Sequence, residues 1–290
     1  MKYYARVPSI QLSQAQLASS DADRSLRGFV KEIPPKSSHS VPAVLRTYDF
    51  VGIAPGKANT CIASACFSLE RDKSQFHRTK KGNKTMKVIL LNGSPKANGN
   101  TALSLEEMVK IFQEENIETE IVQVGNQAIR GCCACMYCAK EGKCVFDDLV
   151  NETATKLKEC DGIVVASPVY YASANSTLTA FLDRLFYSTS FDKRMKVGAS
   201  VAVARRGGCS ATFDQLNKYF TISGMPVASS QYWNSVHGGA PGQAQEDAEG
   251  LQTMRTLARN MSFLMKSIVL GKEKYGLPQQ EPHQWTNFIR

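Results

Sequence analysis

The residues best suited to chemistry in this 290-residue chain are cysteines, and five of the nine fall in one short stretch. The stretch, GCCACMYCAKEGKC, spans residues 131–144. Four of its cysteines follow the spacing Cys132-x2-Cys135-x2-Cys138-x5-Cys144. Iron–sulfur clusters are held by four cysteine thiolates, and successive C-x2-C spacings let three ligands wrap around one cluster. The spacing therefore favours a [4Fe-4S] cluster.

The residue types leave three other interpretations of this stretch open. Structural zinc more often uses two separated pairs of cysteines, whereas a thiol–disulfide switch needs only one pair. The thiols can also stay reduced and hold no metal. Cys133 is an additional thiol that could compete as a ligand or form a disulfide. Outside this stretch, the isolated Cys160 and Cys209 are expected to be small packed residues.

The segment NGSPKANGNT, residues 92–101, has the features of a phosphate-binding loop. It leaves an apolar run and enters a helical pattern, so free backbone N–H groups and the helix dipole favour an anion there. Ser94, Asn100 and Thr101 add hydroxyl and amide donors, and Lys96 adds positive charge. The segment has no Walker or GxGxxG pattern, which argues for a mononucleotide phosphate. The alternative is a polar turn without a ligand.

Two further loops contain residues suited to a flat ring and to negative charge. Residues 167–173, SPVYYAS, offer a proline-fixed turn and two tyrosines that can hold a ring system, although the tyrosines could instead pack between helices. Residues 204–208, ARRGG, offer paired glycines that permit close backbone approach. Arg205 and Arg206 could offset the charge of a reduced flavin or meet a pyridine-nucleotide phosphate. Otherwise they are solvated loop charges.

The strands and helices that flank these loops determine where the loops lie. From Met86 onward, apolar runs alternate with helical patterns. This alternation is typical of an open parallel sheet with helices on both faces, in which ligands bind at the carboxyl ends of the strands. The predicted strands are residues 87–91, 117–124, 162–167, 197–204 and 226–232. The predicted helices are residues 101–115, a helix capped by Asp147 and Asp148 that runs through Leu157, and residues 174–186, 213–220 and 243–268.

The segments NGSPKANGNT and SPVYYASANSTLTAFLDR together resemble the NADPH-dependent FMN reductase superfamily. The cysteine stretch makes the chain most similar to the iron–sulfur flavoprotein branch, which carries a compact cysteine motif after the second strand. The resemblance covers residues 86–268. It implies an α/β, flavodoxin-like, doubly wound sheet of five parallel strands. It also implies a homodimer or homotetramer with FMN near a subunit interface.

The resemblance also implies which residues bind the cofactors. It places the FMN phosphate at Ser94, Lys96, Asn98, Asn100 and Thr101, and the flavin ring at Pro168, Val169, Tyr170 and Tyr171. Arg205 and Gly207 of the third loop are expected to complete the cofactor site. The cluster ligands would be Cys132, Cys135, Cys138 and Cys144.

The function expected from these sites is that of an NAD(P)H-dependent flavin oxidoreductase. FMN would take electrons from NAD(P)H or from a donor such as ferredoxin, and the cluster would pass them to a small-molecule or protein acceptor. Two alternatives are a cluster-free NAD(P)H:quinone, azo-compound or FMN reductase and a non-catalytic flavin electron carrier. No acid–base residue is predicted; His237 could approach the flavin or be a solvated loop residue.

The net charge of +9 does not indicate a nucleic-acid partner, because it is not spread over the chain. Residues 1–85 hold 14 Lys/Arg and 6 Asp/Glu, whereas the remainder holds 21 and 20. The main domain, residues 86–270, is therefore almost neutral and lacks the basic face that nucleic-acid binding needs. Ser/Pro/Lys stretches in residues 1–85 predict a basic, mostly disordered extension, or otherwise a small accessory subdomain.

The sequence also gives expectations for the two ends of the chain and for the cellular compartment of the protein. Met86 opens the first strong strand and could be the natural start, while residues 271–290 are expected to be a tail. No apolar run reaches the roughly 18 residues of a membrane-spanning helix, and the first residues lack a secretory signal. A cytoplasmic protein with reduced thiols and no membrane partner is therefore predicted.

Overall fold

The computed structural model describes residues 85–286, and these form a parallel sheet with helices on both faces. The predictions for residues 1–84 and for the last four residues of the tail lie outside this range. The strands are β1 (Lys87–Asn92), β2 (Glu118–Gln123), β3 (Gly162–Tyr170), β4 (Ser173–Ala174), β5 (Val197–Ala204) and β6 (Ser235–His237). The helices are α1 (Asn100–Glu114), α2 (Tyr137–Glu141), α3 (Leu149–Glu159), α4 (Ser176–Ser188), α5 (Cys209–Ile222) and α6 (Ala248–Tyr275).

Five of the strands form one parallel sheet in the order β2-β1-β3-β5-β6. This is the flavodoxin-like order, in which the chain reverses direction across the sheet between β1 and β3. The two-residue β4 is an addition that pairs antiparallel with the end of β3. The predicted fold class is therefore confirmed, with one short extra strand.

The central strands are apolar on both faces because helices cover both sides of the sheet. In β1, Val88 and Leu90 pack with the residues of α1 and α6, whereas Ile89 and Leu91 pack with those of α3 and α4. The same alternation continues in β3 and β5. The strand β2 lies at the sheet edge and keeps most of its side chains solvent-accessible. One hydrophobic layer on each face of the sheet thus fixes the strands, and with them the loops at their carboxyl ends.

The fifth parallel strand lies later in the chain than predicted, so the expectation of a strand over residues 226–232 is wrong. Only Val227 of that segment bridges to β5, opposite Gly198. The following polar residues bond to α6 instead: Ser230 Oγ donates to the Thr253 carbonyl across 2.7 Å. The ladder resumes at β6, beside residues 202–204 of β5. This displacement puts His237 at the carboxyl edge.

Two helix boundaries show how local capping sets the elements. As predicted, Asp148 caps α3, and its Oδ1 accepts from the Val150 N–H at 3.1 Å. The last helix begins later than predicted because residues 243–246 form a 3-10 turn and Asp247 caps α6 through the Gly250 N–H at 2.9 Å. It also ends later, at Tyr275. None of the helices within residues 85–286 has the length and apolar character that crossing a membrane requires.

Candidate functional site

The predicted loops meet at one edge of the sheet because they follow the carboxyl ends of neighbouring parallel strands. The first loop connects β1 to α1. The N-cap of α1 is Gly99, which makes no side-chain hydrogen bond, and the first turn of this helix carries no acidic residue. A long helix that begins without a cap leaves its first N–H groups available to an anion.

Hydrogen bonds inside the first loop fix its path. The Ser94 N–H donates to Asn92 Oδ1 at 3.0 Å, and the Lys96 N–H donates to Ser94 Oγ at 3.1 Å. Ser94 and Thr101 are buried, whereas Lys96 and Asn98 are exposed. Because Ser94 Oγ accepts the Lys96 N–H, its own hydroxyl hydrogen remains available to a bound phosphate oxygen.

Neighbouring elements brace the same loop from both sides. Asn175, which caps α4, donates from Nδ2 to the Gly93 carbonyl at 2.7 Å. Gln123, at the end of β2, donates from Nε2 to the Ser94 carbonyl at 2.6 Å. Neither residue is among the predicted site residues. The available signal is that each is a polar residue at the end of an element: Gln123 ends β2, and Asn175 precedes α4. Their bonds make the loop a rigid element rather than a free turn.

Asn100 performs a structural task in addition to the predicted one. Its side-chain Nδ2 donates to the carbonyls of Gly238 (3.0 Å) and Ala240 (2.9 Å), and its Oδ1 accepts from the Ala244 N–H at 3.2 Å. The side chain is therefore occupied in joining the first loop to the loop after β6. What Asn100 can offer an anion is its backbone N–H in the first turn of α1.

The second loop is a tight hairpin between β3 and β4. Tyr171 and Ala172 form its two central residues, with φ of 51° and 57°. The expectation of a turn fixed by proline is wrong, because Pro168 lies within β3 opposite Val203 and the chain turns later. Positive φ at both central positions defines a type I′ turn, which favours glycine or asparagine.

Both hairpin tyrosines are accessible rather than packed between helices. Tyr171 is fully exposed, and Tyr170 is 46% exposed. This excludes the alternative in which the pair belongs to the core. A non-glycine residue with positive φ costs roughly 1–2 kcal/mol, and such strain is concentrated at functional sites. The hairpin therefore presents two aromatic rings at the carboxyl edge.

The third loop lies against this hairpin. Gly208 has a φ of 93°, and a Cβ built on it would lie 2.8 Å from Val169 Cγ1 and 2.9 Å from Ala172 Cα. Only glycine permits this approach. Arg205 is exposed, and its Cγ would lie 2.8 Å from a Cβ on Gly239. The second, third and last loops of the carboxyl edge are thus in direct contact.

A cysteine, a histidine and an aspartate lie together behind the third loop. Cys209 begins α5, and its Sγ lies 4.0 Å from His237 Nε2 at the end of β6. The Asp247 carboxylate accepts from the His237 backbone N–H at 2.6 Å and lies 3.6 Å from Nδ1. Burial, followed by the negative charge of Asp247, raises the pKa of the Cys209 thiol. The sequence predicted Cys209 as a packed residue and did not predict this cluster.

The predicted cluster ligands lie between β2 and α3 and line one cavity. Cys132, Cys135, Cys138 and Cys144 all contribute to its wall, and so does Cys133. Ala134 and Met136 have φ of 53° and 59°, which turn the backbone between successive cysteines. The Ala134 N–H points to Cys132 Sγ at 3.4 Å. N–H groups directed at cysteine sulfurs are among the hydrogen bonds that set cluster potentials.

Helix α4 closes the cavity with a buried cation. Arg184 is 1% exposed and donates from Nε to Cys144 Sγ at 3.2 Å. Its two terminal nitrogens hold both oxygens of Asp148, at 2.7 and 2.9 Å. Asn151 fixes Cys144 from the other side by bonding to its backbone N–H and carbonyl, each at 3.0 Å. The sequence did not predict either residue as part of the site.

The same cavity contains an unpaired hydroxyl. Ser188, the last residue of α4, is 4% exposed, and its Oγ finds no partner among the described residues. A buried hydroxyl without a partner is unfavourable, and this one lies in the wall of the cavity that the cysteines line. Within residues 85–286, no three His, Cys, Asp or Glu side chains converge as ligands of one metal ion.

Comparison with known proteins identifies the family. The sequence pattern of the NADPH-dependent FMN reductase family matches residues 86–240, more than half of the chain. The chain belongs to this family. It also belongs to the iron–sulfur flavoprotein branch, since an iron–sulfur flavoprotein of Methanocaldococcus jannaschii is 37% identical over 191 residues, which cover 63% of this chain and 99% of the relative. The suspected resemblance is therefore confirmed.

Other relatives agree with this assignment. An iron–sulfur flavoprotein of Methanosarcina thermophila is 31% identical over 194 residues, covering 65% of this chain and 100% of the relative. Among solved structures, RosB with a bound 8-demethyl-8-formylriboflavin-5'-phosphate intermediate superimposes with a TM-score of 0.51 at 16% identity, covering 71% of this chain and 94% of RosB. The latter likeness shows the fold. Membership of the FMN reductase family makes the chain a flavin oxidoreductase of the flavodoxin-like class.

Proposed function

We propose that this flavoprotein passes electrons from NAD(P)H, or from a ferredoxin-like donor, through FMN to a small-molecule or protein acceptor. We further propose that Cys132, Cys135, Cys138 and Cys144 hold a [4Fe-4S] cluster. FMN would supply both hydride acceptance and single-electron transfer when it is bound. The observation that carries the proposal is the uncapped start of α1 behind a loop that is braced on both sides.

The first loop supports FMN through its phosphate end. The first-turn N–H groups of α1, the hydroxyls of Ser94 and Thr101, and the positive charge of Lys96 would bind the phosphate. Asn98 is exposed on the same loop and would add an amide donor. Because Asn175 and Gln123 already fix the backbone, little conformational entropy would be lost when the phosphate binds.

The second and third loops support the ring end. Residues Pro168, Val169, Tyr170 and Tyr171 would contact the ring, since the hairpin brings them to the same edge as the phosphate loop. Gly207 is exposed and has open space around its Cα, so the backbone could approach a ring edge closely. Arg205 would place positive charge beside the ring, which favours its reduced, anionic form.

The cysteine cavity supports the cluster through the chemistry of its donors. Four thiols, one backbone N–H directed at sulfur and the buried Arg184 line the same space. The unpaired hydroxyl of Ser188 would gain a sulfur acceptor there. Arg184 would offset part of the negative charge of four thiolates. Cys133 remains without a function in this arrangement.

We also propose a homodimer or homotetramer in the cytoplasm. Tyr171 extends fully into solvent from a strained hairpin, and exposed aromatic residues are enriched in protein interfaces. Light scattering of the purified protein tests the assembly. A mass two or four times that of one chain is expected, whereas a monomer would contradict this part.

A cluster-free NAD(P)H:quinone or FMN reductase is the second candidate function. It is favoured by the observation that no three cysteines of the described part of the chain converge on one position. In that case the thiols would be reduced and the cavity would have no redox group. The two candidates share the FMN site and differ only in residues 132–144.

Anaerobic titration with NADPH, NADH or reduced ferredoxin tests the proposed reaction. Bleaching of the flavin absorption by one of these donors, followed by recovery with a quinone or ferricyanide, is expected. A variant with Cys132, Cys135, Cys138 and Cys144 replaced by Ser should keep the flavin bleaching and lose iron. Flavin that no donor bleaches would contradict the oxidoreductase, and an iron-free wild type would select the second candidate.

A further inference from the structure

The proposed electron transfer does not use the cluster of Cys209, His237 and Asp247. In this cluster the three side chains are arranged as a nucleophile, a base and a carboxylate that orients the base. Cys209 Sγ lies 4.0 Å from His237 Nε2, and the Asp247 carboxylate lies 3.6 Å from Nδ1. A nucleophile beside a base that a third group orients is the general signature of an activated side chain. Such contacts are often longer before a ligand binds than in the reacting complex.

Each member of the cluster is held by an independent part of the fold. Gly208, with φ of 93°, sets the start of α5 and hence Cys209. The parallel pairing of β6 with β5 sets His237 opposite Ala204. Asp247 is fixed because its Oδ1 caps α6 and its Oδ2 accepts the His237 N–H. The three side chains are therefore brought together by tertiary structure, not by proximity in sequence.

The resting state of the thiol follows from its surroundings. Cys209 is partly buried, and burial raises the pKa of its thiol, so it is protonated near neutral pH. Such a thiol reacts only if a neighbouring base takes its proton during attack. The His237 side chain is about half exposed at 48%, so a small molecule can reach the pair from solvent.

We propose that Cys209 exchanges with small anionic disulfides, with His237 as the proton carrier and Asp247 as the positioning residue. Cys209 Sγ attacks one sulfur of the disulfide while the thiol proton passes to His237 Nε2. A new S–S bond to Cys209 forms as the disulfide's own S–S bond breaks. The leaving thiolate then takes the proton from His237. The products are a mixed disulfide on Cys209 and one small thiol, and no other oxidant is needed.

Charge at the same place favours an anionic partner. Arg205 and Arg206 precede Cys209 by only a few residues, and both are exposed. Arg205 lies along Gly239, next to the loop that follows His237. Neither arginine forms an ion pair with a residue between 85 and 286. Two unneutralised cations on the loop that leads into Cys209 would attract carboxylates on the disulfide and would repel an amine-bearing one.

The test follows the modification of Cys209 itself in the full-length protein as purified. The protein is treated at neutral pH with a dianionic aromatic disulfide, 5,5'-dithiobis(2-nitrobenzoate), or with the dicationic disulfide cystamine. Peptide mass spectrometry then gives the rate at Cys209 separately from the rates at residues 132–144. Because thionitrobenzoate is a much better leaving group than cysteamine, each rate at Cys209 is divided by the rate of the same probe with free N-acetylcysteine. We expect a mixed disulfide on Cys209 with the anionic probe and a lower normalised rate with cystamine.

Substitutions assign the roles of the partners. His237→Gln should slow the reaction of Cys209 on the order of 100-fold, because general acid–base catalysis is lost, and should leave the other cysteines unchanged. His283→Gln, at an exposed histidine of the C-terminal segment, is the matched control and should have no effect. Asp247→Asn keeps a helix-capping oxygen but replaces the oxygen that accepts the His237 N–H with an NH2 group. It should slow Cys209, whereas His283→Gln does not, in protein that is still folded at the assay temperature.

Three results would overturn the inference. The first is an unmodified Cys209 in protein whose exposed cysteines react. The second is a rate at Cys209 that changes by less than about twofold in His237→Gln, which is far below the catalytic range. The third is equal normalised rates with the two probes, which would show that Cys209 does not select anionic disulfides. All rates are compared at equal flavin content, because Arg205 also lies at the proposed ring site. None of these outcomes measures flavin reduction or iron binding, so they are separate from the tests of the proposed function.

Discussion

Arg184 donates from its Nε to the sulfur of Cys144 across 3.2 Å, and its terminal nitrogens hold Asp148. One buried cation therefore connects the cysteine cavity to the capping residue of α3. This bond and the two Asn151 bonds to the Cys144 backbone fix the position of Cys144. It also places positive charge where four thiolates would accumulate negative charge.

Replacing this cation should destabilise the domain. Arg184→Met is expected to lower the free energy of unfolding by about 3 kcal/mol, because it leaves Asp148 without its partner. Urea unfolding followed by circular dichroism measures the change. Arg194→Met is the matched control, since the Arg194–Asp192 pair is solvent-accessible and should contribute less than about 1 kcal/mol. Equal effects of the two substitutions would contradict a structural role for Arg184.

The unpaired hydroxyl of Ser188 should behave differently in iron-free and iron-loaded protein. Ser188→Ala should not reduce the stability of the iron-free form, since removing an unsatisfied buried hydroxyl is close to neutral. In the loaded form it should make the cluster's reduction potential more negative, because hydrogen bonds to sulfur stabilise the reduced cluster. Redox titration followed by electron paramagnetic resonance measures this shift.

Thr212→Val provides the control for Ser188. Thr212 is also buried with an unpaired hydroxyl, but it lies on α5 and does not line the cysteine cavity. Its substitution should leave the cluster potential unchanged. A loaded protein in which Ser188→Ala and Thr212→Val have the same potential as the wild type would show that Ser188 does not face the cluster.

The contact between Gly208 and the tyrosine hairpin should be sensitive to a single methyl group. Gly208→Ala adds a Cβ within 3 Å of Val169 and Ala172 and forces a positive φ on alanine. We expect a loss of more than about 1 kcal/mol of stability together with weaker FMN binding. Gly271→Ala, near the end of α6 and away from the proposed cofactor sites, adds its Cβ to open space and should leave FMN binding unchanged. Similar FMN affinities in both variants would exclude the hairpin contact from the flavin site.

The hydroxyl of Ser94 should recognise the phosphate and not the ring. Ser94→Ala is expected to weaken FMN binding about tenfold, the value of one hydrogen bond to a charged group. Binding of riboflavin, which lacks the phosphate, should be unchanged. Fluorescence quenching on titration of the apoprotein measures both affinities. Equal losses for FMN and riboflavin would place Ser94 away from the phosphate.

The sequence was sufficient where local pattern determines structure. Apolar runs that alternate with helical periodicity predicted β1, β2, β3 and β5, and Asp148 was correctly predicted to cap α3. The fifth parallel strand was misplaced because its position depends on tertiary bonds: Ser230 bonds to α6 rather than to β5. Residues 226–232 therefore contribute only the single bridge of Val227 to the sheet.

The site was predictable to the extent that its residues are consecutive. The phosphate loop and the cysteine spacing can be identified directly in the chain. The pairs Arg184–Cys144 and Cys209–His237 cannot, since their partners lie 40 and 28 residues apart and meet only through helix and strand packing. Asn100 illustrates the same point, because its side chain bonds to a loop 138 residues away.

We propose that one chain holds both FMN and a [4Fe-4S] cluster. The most direct test is the ratio of iron and acid-labile sulfide to FMN in the full-length protein purified without oxygen. We expect about four iron atoms and about four sulfides per FMN, with iron lost when Cys132, Cys135, Cys138 and Cys144 are replaced by Ser. FMN-containing wild-type protein without iron would contradict it.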